Sequence, residues 1–297
     1  MAGELLLELQ AVSHVFADGS RGLDDCSLGI RRGSRNALLG ANGSGKTTLL
    51  LHLNGLLQPS AGCIRIDGCT LDYSRSGLAA LRRRVGLVFQ NPERQLFSAS
   101  VFEDVSFGPL NLGLDEAGVR ARVAQALAAV GMAEQAERPV HHLSFGQKKR
   151  VCIAGVLAMQ PELLLLDEPM AGLDSGMQDE LLRILDDLSA RGISIVLATH
   201  DVDFAYRWAD HIHLLAGGRC SASFAASELP QQAATLRAAG QALPAVVQLH
   251  RSLVARGVLP AAPVPGSIPQ LLAVLAETPA GEPNMNQAPP SRQPSAA

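Results

Sequence analysis

The stretch Gly40-Ala41-Asn42-Gly43-Ser44-Gly45-Lys46-Thr47 constrains this chain more than any other. It fits the P-loop pattern G-x-x-x-x-G-K-[ST], which needs a strand before it and a helix after it. Both flanks agree. Asn36-Ala37-Leu38-Leu39 reads as a short buried strand, and Thr47 to Leu57 reads as a Leu-rich helix. Glycines let the backbone pass close to phosphate oxygens, and successive N–H groups at the helix start then face the anion. Gly40, Asn42, Gly43, Ser44, Gly45 and Thr48 are the candidate loop and helix-start contacts. Lys46 adds a point charge for β- and γ-phosphates, and Thr47 offers a hydroxyl to Mg²⁺.

Before the loop, Leu5 to Val12 and Leu23 to Ile30 read as strands, and Cys63 to Gly68 as a further short strand and turn. These pieces predict an antiparallel β layer beside the P-loop strand. Phe16 is either core or a stacking plate for a base. Val85 to Phe89 is a buried-strand run that stops at Gln90. Asp115 to Val130 has helix pattern, with Val119, Val123, Leu127 and Val130 on one face. Residues from about 91 to 160 therefore read as a helical insert between two strands. Inside it, Ser144 and Gln147 have the spacing of a capping box opening a helix over 146–159. The other reading is that the Ser144 hydroxyl and the glycine N–H groups there bind phosphate.

Leu163-Leu164-Leu165-Leu166 is a buried strand followed by Asp167-Glu168, and Ile193 to Thr199 is another ending at His200. Two adjacent acids after a buried run are costly unless they face water, a cation or a ligand. Lys46, Gln90, Asp167, Glu168 and His200 each follow the carboxyl end of an apolar strand, directly or through the P-loop. In a parallel α/β sheet that edge binds ligands. Asp167, with Thr47 and Gln90, is the candidate Mg²⁺ set. Glu168 is the candidate for polarising water, with Gln90 and His200 hydrogen-bonding the γ-phosphate or that water.

These residues occur in an order and spacing that resemble the ATP-binding subunit of an ABC transporter, over residues 5 to about 222. Gly40–Thr47 resembles Walker A, Gln90 the Q-loop, Leu143–Gln147 the signature and Leu163–Glu168 Walker B. Gly172-Leu173-Asp174 resembles the D-loop, and His200 the switch histidine. The resemblance implies a P-loop ATPase with an antiparallel β subdomain and an inserted helical subdomain. It implies that Phe16 stacks adenine and that Ser144, Gly146 and Gln147 contact ATP. It also implies Mg²⁺–ATP as the complex bound and a head-to-tail dimer, expected here as a homodimer. Val88 to Phe97, Phe107 to Leu114, His141 to Ser144, Lys148 to Val151 and His200 to Asp203 further resemble energy-coupling-factor importers, above all those for cobalt or nickel. That implies a transmembrane scaffold subunit and a substrate-binding membrane subunit. It places the chain peripherally on the cytoplasmic face of a bacterial cell membrane. Phe145 departs from the first signature glycine, and Met170 from the Thr usual after Walker B.

Other features limit the alternatives. A net charge of −3 and a pI near 6.2 argue against nucleic-acid binding by bulk charge. Five Cys without a C-x-x-C pair read as reduced thiols. No apolar run approaches the ~18 residues of a membrane span, and Met1-Ala2-Gly3-Glu4 lacks the basic start of a signal peptide. A repair-type ATPase needs a coiled coil that the insert has no room for. A vitamin importer of the energy-coupling-factor type is the main rival, with a non-transport ABC ATPase behind it. Residues 1–222 are expected to form the ATPase domain, 223–281 a helical extension with helices near Pro244–Val258 and Ile268–Ala276, and 282–297 a disordered tail. Glu93, in the polar loop after Gln90, is expected to pair with a basic residue of the scaffold. Neither His141-His142 nor His211 with His213 is expected to hold the transported metal.

Overall fold

The computed structural model describes residues 4–277. In chain order, β1 (Leu5–Val15) and β2 (Arg21–Arg31) precede β3 (Arg35–Leu39) and α1 (Lys46–Leu53). Then come β4 (Ala61–Ile66), β5 (Cys69–Thr70), α2 (Arg75–Arg84) and β6 (Val85–Val88). Helices α3 (Val101–Asn111), α4 (Glu116–Ala129) and α5 (Phe145–Leu157) stand between β6 and β7 (Leu163–Asp167). Next are α6 (Ser175–Ala190), β8 (Ser194–Thr199), α7 (Val202–Trp208) and β9 (His211–Ala216). β10 (Arg219–Ala225) and α8 (Ala233–Ala238) complete a compact unit that ends at Leu243. A second unit begins at Pro244 and holds α9 (Ala245–Ala255) and α10 (Ile268–Glu277).

The first unit has two sheets. β2-β1-β4-β5 is antiparallel throughout. The other sheet has the order β10-β9-β3-β8-β7-β6. It is parallel except for the edge strand β10, which pairs antiparallel with β9. The all-Leu start of β7 follows from this position: strands covered on both faces bury every side chain. Leu6, Leu28 and Ile64 of the antiparallel sheet share one hydrophobic cluster with Leu38, Leu165 and Val196 of the parallel sheet. Leu49 and Leu53 of α1 belong to it too, so the P-loop helix is anchored in the common core. A network of Arg32, Arg84, Asp67 and Glu162 links the two sheets at the amino ends of β6 and β7.

The division expected near 222 falls inside β10, whose pairing with β9 continues to Ala225↔His211. Sheet hydrogen bonds hold that segment to the first unit, which extends to Leu243. The expected tail over 282–297 lies outside the described residues. No helix among the described residues is long and apolar enough to cross a membrane.

Candidate functional site

The strand order of the parallel sheet gathers the candidates. β3, β6, β7 and β8 run the same way, so the residues after Leu39, Val88, Leu166 and Thr199 emerge at one edge. Eleven sequence candidates line one cavity of about 390 Å³ there: Phe16, Asn42, Gly43, Gly45, Lys46, Thr47, Thr48, Gln90, Asp167, Glu168 and His200. Phe16 comes from the β1–β2 turn, so the antiparallel sheet supplies an aromatic face to a cavity otherwise built on the parallel one. Arg21 and Gly22 line it as well. The sequence reading misses both, because only the return of β2 against the P-loop brings them there.

The loop has the shape its composition requires. Gly45 caps α1 with φ 103°, and a Cβ on it would lie 2.7 Å from the Gly22 carbonyl oxygen. Lys46 is 6% exposed, and its Nζ donates to the carbonyl oxygens of Gly40 at 2.7 Å and Ala41 at 3.2 Å. The buried Ser44 Oγ meets no hydrogen-bond partner within the protein. An unmet hydroxyl beneath a glycine loop with a buried ammonium is a cradle for an anion.

The acids divide in character. Asp167 is buried, and Thr47 Oγ1 donates to its Oδ2 at 2.8 Å. Burial pushes its carboxyl above the usual range, with the neighbouring Glu168 charge adding to that, while Thr47 and Lys46 oppose it. A carboxylate so placed is suited to a cation. Glu168 accepts from His200 Nδ1 at 3.0 Å and lies 3.5 Å from Lys46 Nζ. Its φ of 42° is in the left-handed region, costly for a side chain of this kind and found where surroundings enforce it. His200 stands just ahead of Asp201, which caps α7 by accepting from Phe204 N.

Ser144, Gly146 and Gln147 are elsewhere. They line a separate crevice of about 200 Å³ with Leu173 and Met177. Ser144 caps α5 in a capping box with Gln147: Gln147 N donates to Ser144 Oγ at 3.3 Å and Ser144 N to Gln147 Oε1 at 3.0 Å. The local reading of this motif is therefore realised, and no contact with the cavity comes from its own chain's signature. Further along α5, burial brings the Lys149 ammonium down to about 8.

His213 is fully committed. Its Nδ1 meets Ser223 Oγ at 2.8 Å, its Nε2 meets Asn36 Oδ1 at 3.3 Å, and burial lowers it to about 4. Glu93 accepts from Lys148 Nζ at 3.0 Å, so the basic partner sought outside the chain is met, in part, within it.

Comparison with known proteins matches residues 23–171 to the family described as ABC transporter. The cobalt import ATP-binding protein CbiO of Rhodobacter capsulatus is 50% identical, covering 83% of this chain and 88% of its own. The energy-coupling factor transporter ATP-binding protein EcfA of Methanothermobacter thermautotrophicus is 46% identical, over 84% of this chain and 80% of its own. Among solved structures, cbiO1 from Clostridium perfringens, part of the transporter complex cbiONQ, superposes with a TM-score of 0.73. It is 41% identical, over 84% of this chain and 99% of that one. A dimeric ATP-binding cassette in a post-hydrolysis state with ADP and Pi superposes with a TM-score of 0.67 at 28% identity. It covers 74% of this chain and 98% of its own.

Proposed function

Since this chain belongs to the ABC transporter family, as an ATPase subunit of the energy-coupling-factor type, we propose that it powers the import of cobalt or nickel ions. The observation that carries the metal is the 50% identity to a cobalt import ATP-binding protein along most of both chains.

For the chemistry, the gathered cavity supports these roles. The P-loop amides and Lys46 hold the β- and γ-phosphates, and Phe16 stacks on adenine. Glu168 takes the proton of the attacking water, or orients it, and His200 steadies the Glu168 carboxylate and the leaving oxygens. The Thr47 hydroxyl and the buried Asp167 carboxylate fit Mg²⁺, with Gln90 able to turn toward it. When bound, Mg²⁺ neutralises charge on the transferred phosphoryl group. Asp167 is buried, and among the described residues no cationic side chain forms an ion pair with it, which supports that assignment.

For assembly, we infer a head-to-tail dimer in which Ser144, Gly146 and Gln147 of one copy close on the nucleotide held by the other. Their place in a separate crevice supports a role outside their own chain's cavity. Phe97, Phe107 and Leu110 are 67%, 52% and 57% exposed on the helical insert, close in sequence to the Asn91–Gln95 loop. Such a patch suits an apolar partner, here a membrane-embedded scaffold subunit. The chain would then work on the cytoplasmic face of the membrane.

The test is reconstitution with a scaffold subunit and a substrate-binding membrane subunit from the same organism, followed by ATP-dependent uptake of Co²⁺ and Ni²⁺ into vesicles. Uptake of either ion is expected. Uptake of a vitamin with neither ion would replace the metal reading and keep the ATPase.

A further inference from the structure

Lys149 is a buried cation that no step above uses. It lies in the second turn of α5 and is 3% exposed. Its Nζ donates to the carbonyl oxygens of Pro169 and Ala171, each at 2.6 Å. The Phe145 ring centroid is 5.2 Å from the same nitrogen. A buried ammonium is costly unless its protons are met, and here two carbonyls and a π-face meet them.

The two carbonyls belong to the three residues after Glu168. Because Glu168 has left-handed φ, the direction of its carboxylate depends on what holds those residues. Ala171 N donates back to Glu168 O at 3.1 Å and closes a turn, and Lys149 grips that turn from outside. Phe145 closes the other side. A Cβ on Gly172, which has φ 76°, would stand 3.0 Å from Phe145 Cε1. The start of α5 and residues 168–172 are thus packed as one block.

In the dimer that block serves two nucleotides. Glu168 faces the cavity of its own P-loop, while Ser144, at the head of α5, faces the nucleotide of the other copy. We propose that Lys149 is the positioning residue that ties them, holding Glu168 toward the nucleotide of its own chain and the Ser144 head of α5 toward the nucleotide of the other copy. The inference rests on the shared-site reading above. An apolar residue at this position would leave two buried carbonyls without a donor and free the turn.

The test uses full-length chains in tagged mixed dimers of Ser144→Arg with Lys46→Ala, which keep one intact composite site. That site takes its P-loop and Glu168 from the Ser144→Arg chain and its Ser144 from the Lys46→Ala chain. Lys149→Met is added to one chain or to the other. Either placement is expected to lower kcat about tenfold or more, where a full 1 Å misplacement of a reacting group costs about 10²-fold, with ATP affinity unchanged. Lys149→Gln or Lys149→Arg, which restores a donor, is expected to recover most of the loss. The assignment is overturned by loss at one placement only or at neither, by a matching fall in ATP affinity, or by failure of both conservative variants. Absence of turnover in proven mixed dimers that keep Lys149 in both chains would instead strike the shared-site reading, and the tie with it.

Discussion

Glu168→Gln separates chemistry from binding. The amide has the size of the carboxylate and inherits the same backbone φ of 42°, so the strain at this position is common to both proteins. It can still accept from His200 Nδ1, now 3.0 Å away. What it loses is the charge 3.5 Å from Lys46 Nζ. At that separation and an effective dielectric of about 20, one charge pair amounts to about 5 kcal/mol before desolvation. The 12% exposed carboxylate also sheds its own desolvation cost. Lys46 keeps its two carbonyl acceptors. The fold should therefore shift by no more than about 2 kcal/mol. Turnover is a different matter, because an amide is no base. We expect kcat to fall by about 10²–10⁴-fold, the worth of a positioned base. That corresponds to about 3–5 kcal/mol of barrier. Phosphate release and fluorescent-nucleotide titration of the same preparation give both quantities. Turnover within tenfold of the parent, with binding intact, would falsify the role of Glu168; equal losses in binding and turnover would make it a binding residue.

Lys46→Ala removes the counter-charge of the cavity and is expected to weaken ATP binding by about 10–100-fold, the worth of a charged hydrogen bond; unchanged affinity in titration would remove Lys46 from the phosphate site. Glu93→Arg sets a second cation beside Lys148, and should reduce transport or complex assembly more than ATP binding; co-purification with the scaffold subunit reads this out, and normal assembly with normal uptake would return Glu93 to a solvated loop. Arg84 and Arg32 hold the Glu162 carboxyl down to about 2. Its stabilisation is thus complete above the ordinary value of 4.5 and is lost as pH falls through 2. After discounting for the 38% exposed side chain, we expect on the order of 1 kcal/mol. Urea melts of parent and Glu162→Gln should converge on acidification, and parallel curves would contradict the linkage. Calorimetry with Co²⁺ and Ni²⁺ is expected to show no site at His211 and His213, since both ring nitrogens of His213 already have partners; micromolar binding lost in the double alanine variant would refute this.

Much of the edge chemistry was legible because parallel strands covered on both faces are continuous apolar runs. Leu163–Leu166 and Ile193–Thr199 announce where they stop, and the stops are the site. Edge strand β10 was not legible: Cys220-Ser221-Ala222-Ser223 is small and half exposed, with no apolar alternation to reveal pairing. Helix α3 was equally hidden, with Gly108 and Pro109 inside it. Local chemistry predicted the capping box at Ser144, since capping needs only neighbours within one turn. Arg21, Gly22 and Lys149 acquire their roles through segments distant in the chain, which no local pattern records. The same limit explains Glu93, whose partner Lys148 lies far along the sequence.

The strand order also bears on how the chain is made. β3 is a central strand, flanked by β8 and β9. They begin 155 and 172 residues beyond Leu39 (194 − 39 and 211 − 39), which at 5–20 residues per second means a wait of roughly 8–35 s during synthesis. The antiparallel sheet has all its strands by Thr70 and is free to close early. The P-loop strand lies between β2 and β4 in the chain, and once that sheet has closed it still waits with both edges bare. Unpaired edges invite association with other nascent chains. The nucleotide cradle is thus among the first segments to leave the ribosome and among the last to be assembled, and its exposure in the interval is a hazard for folding rather than for catalysis.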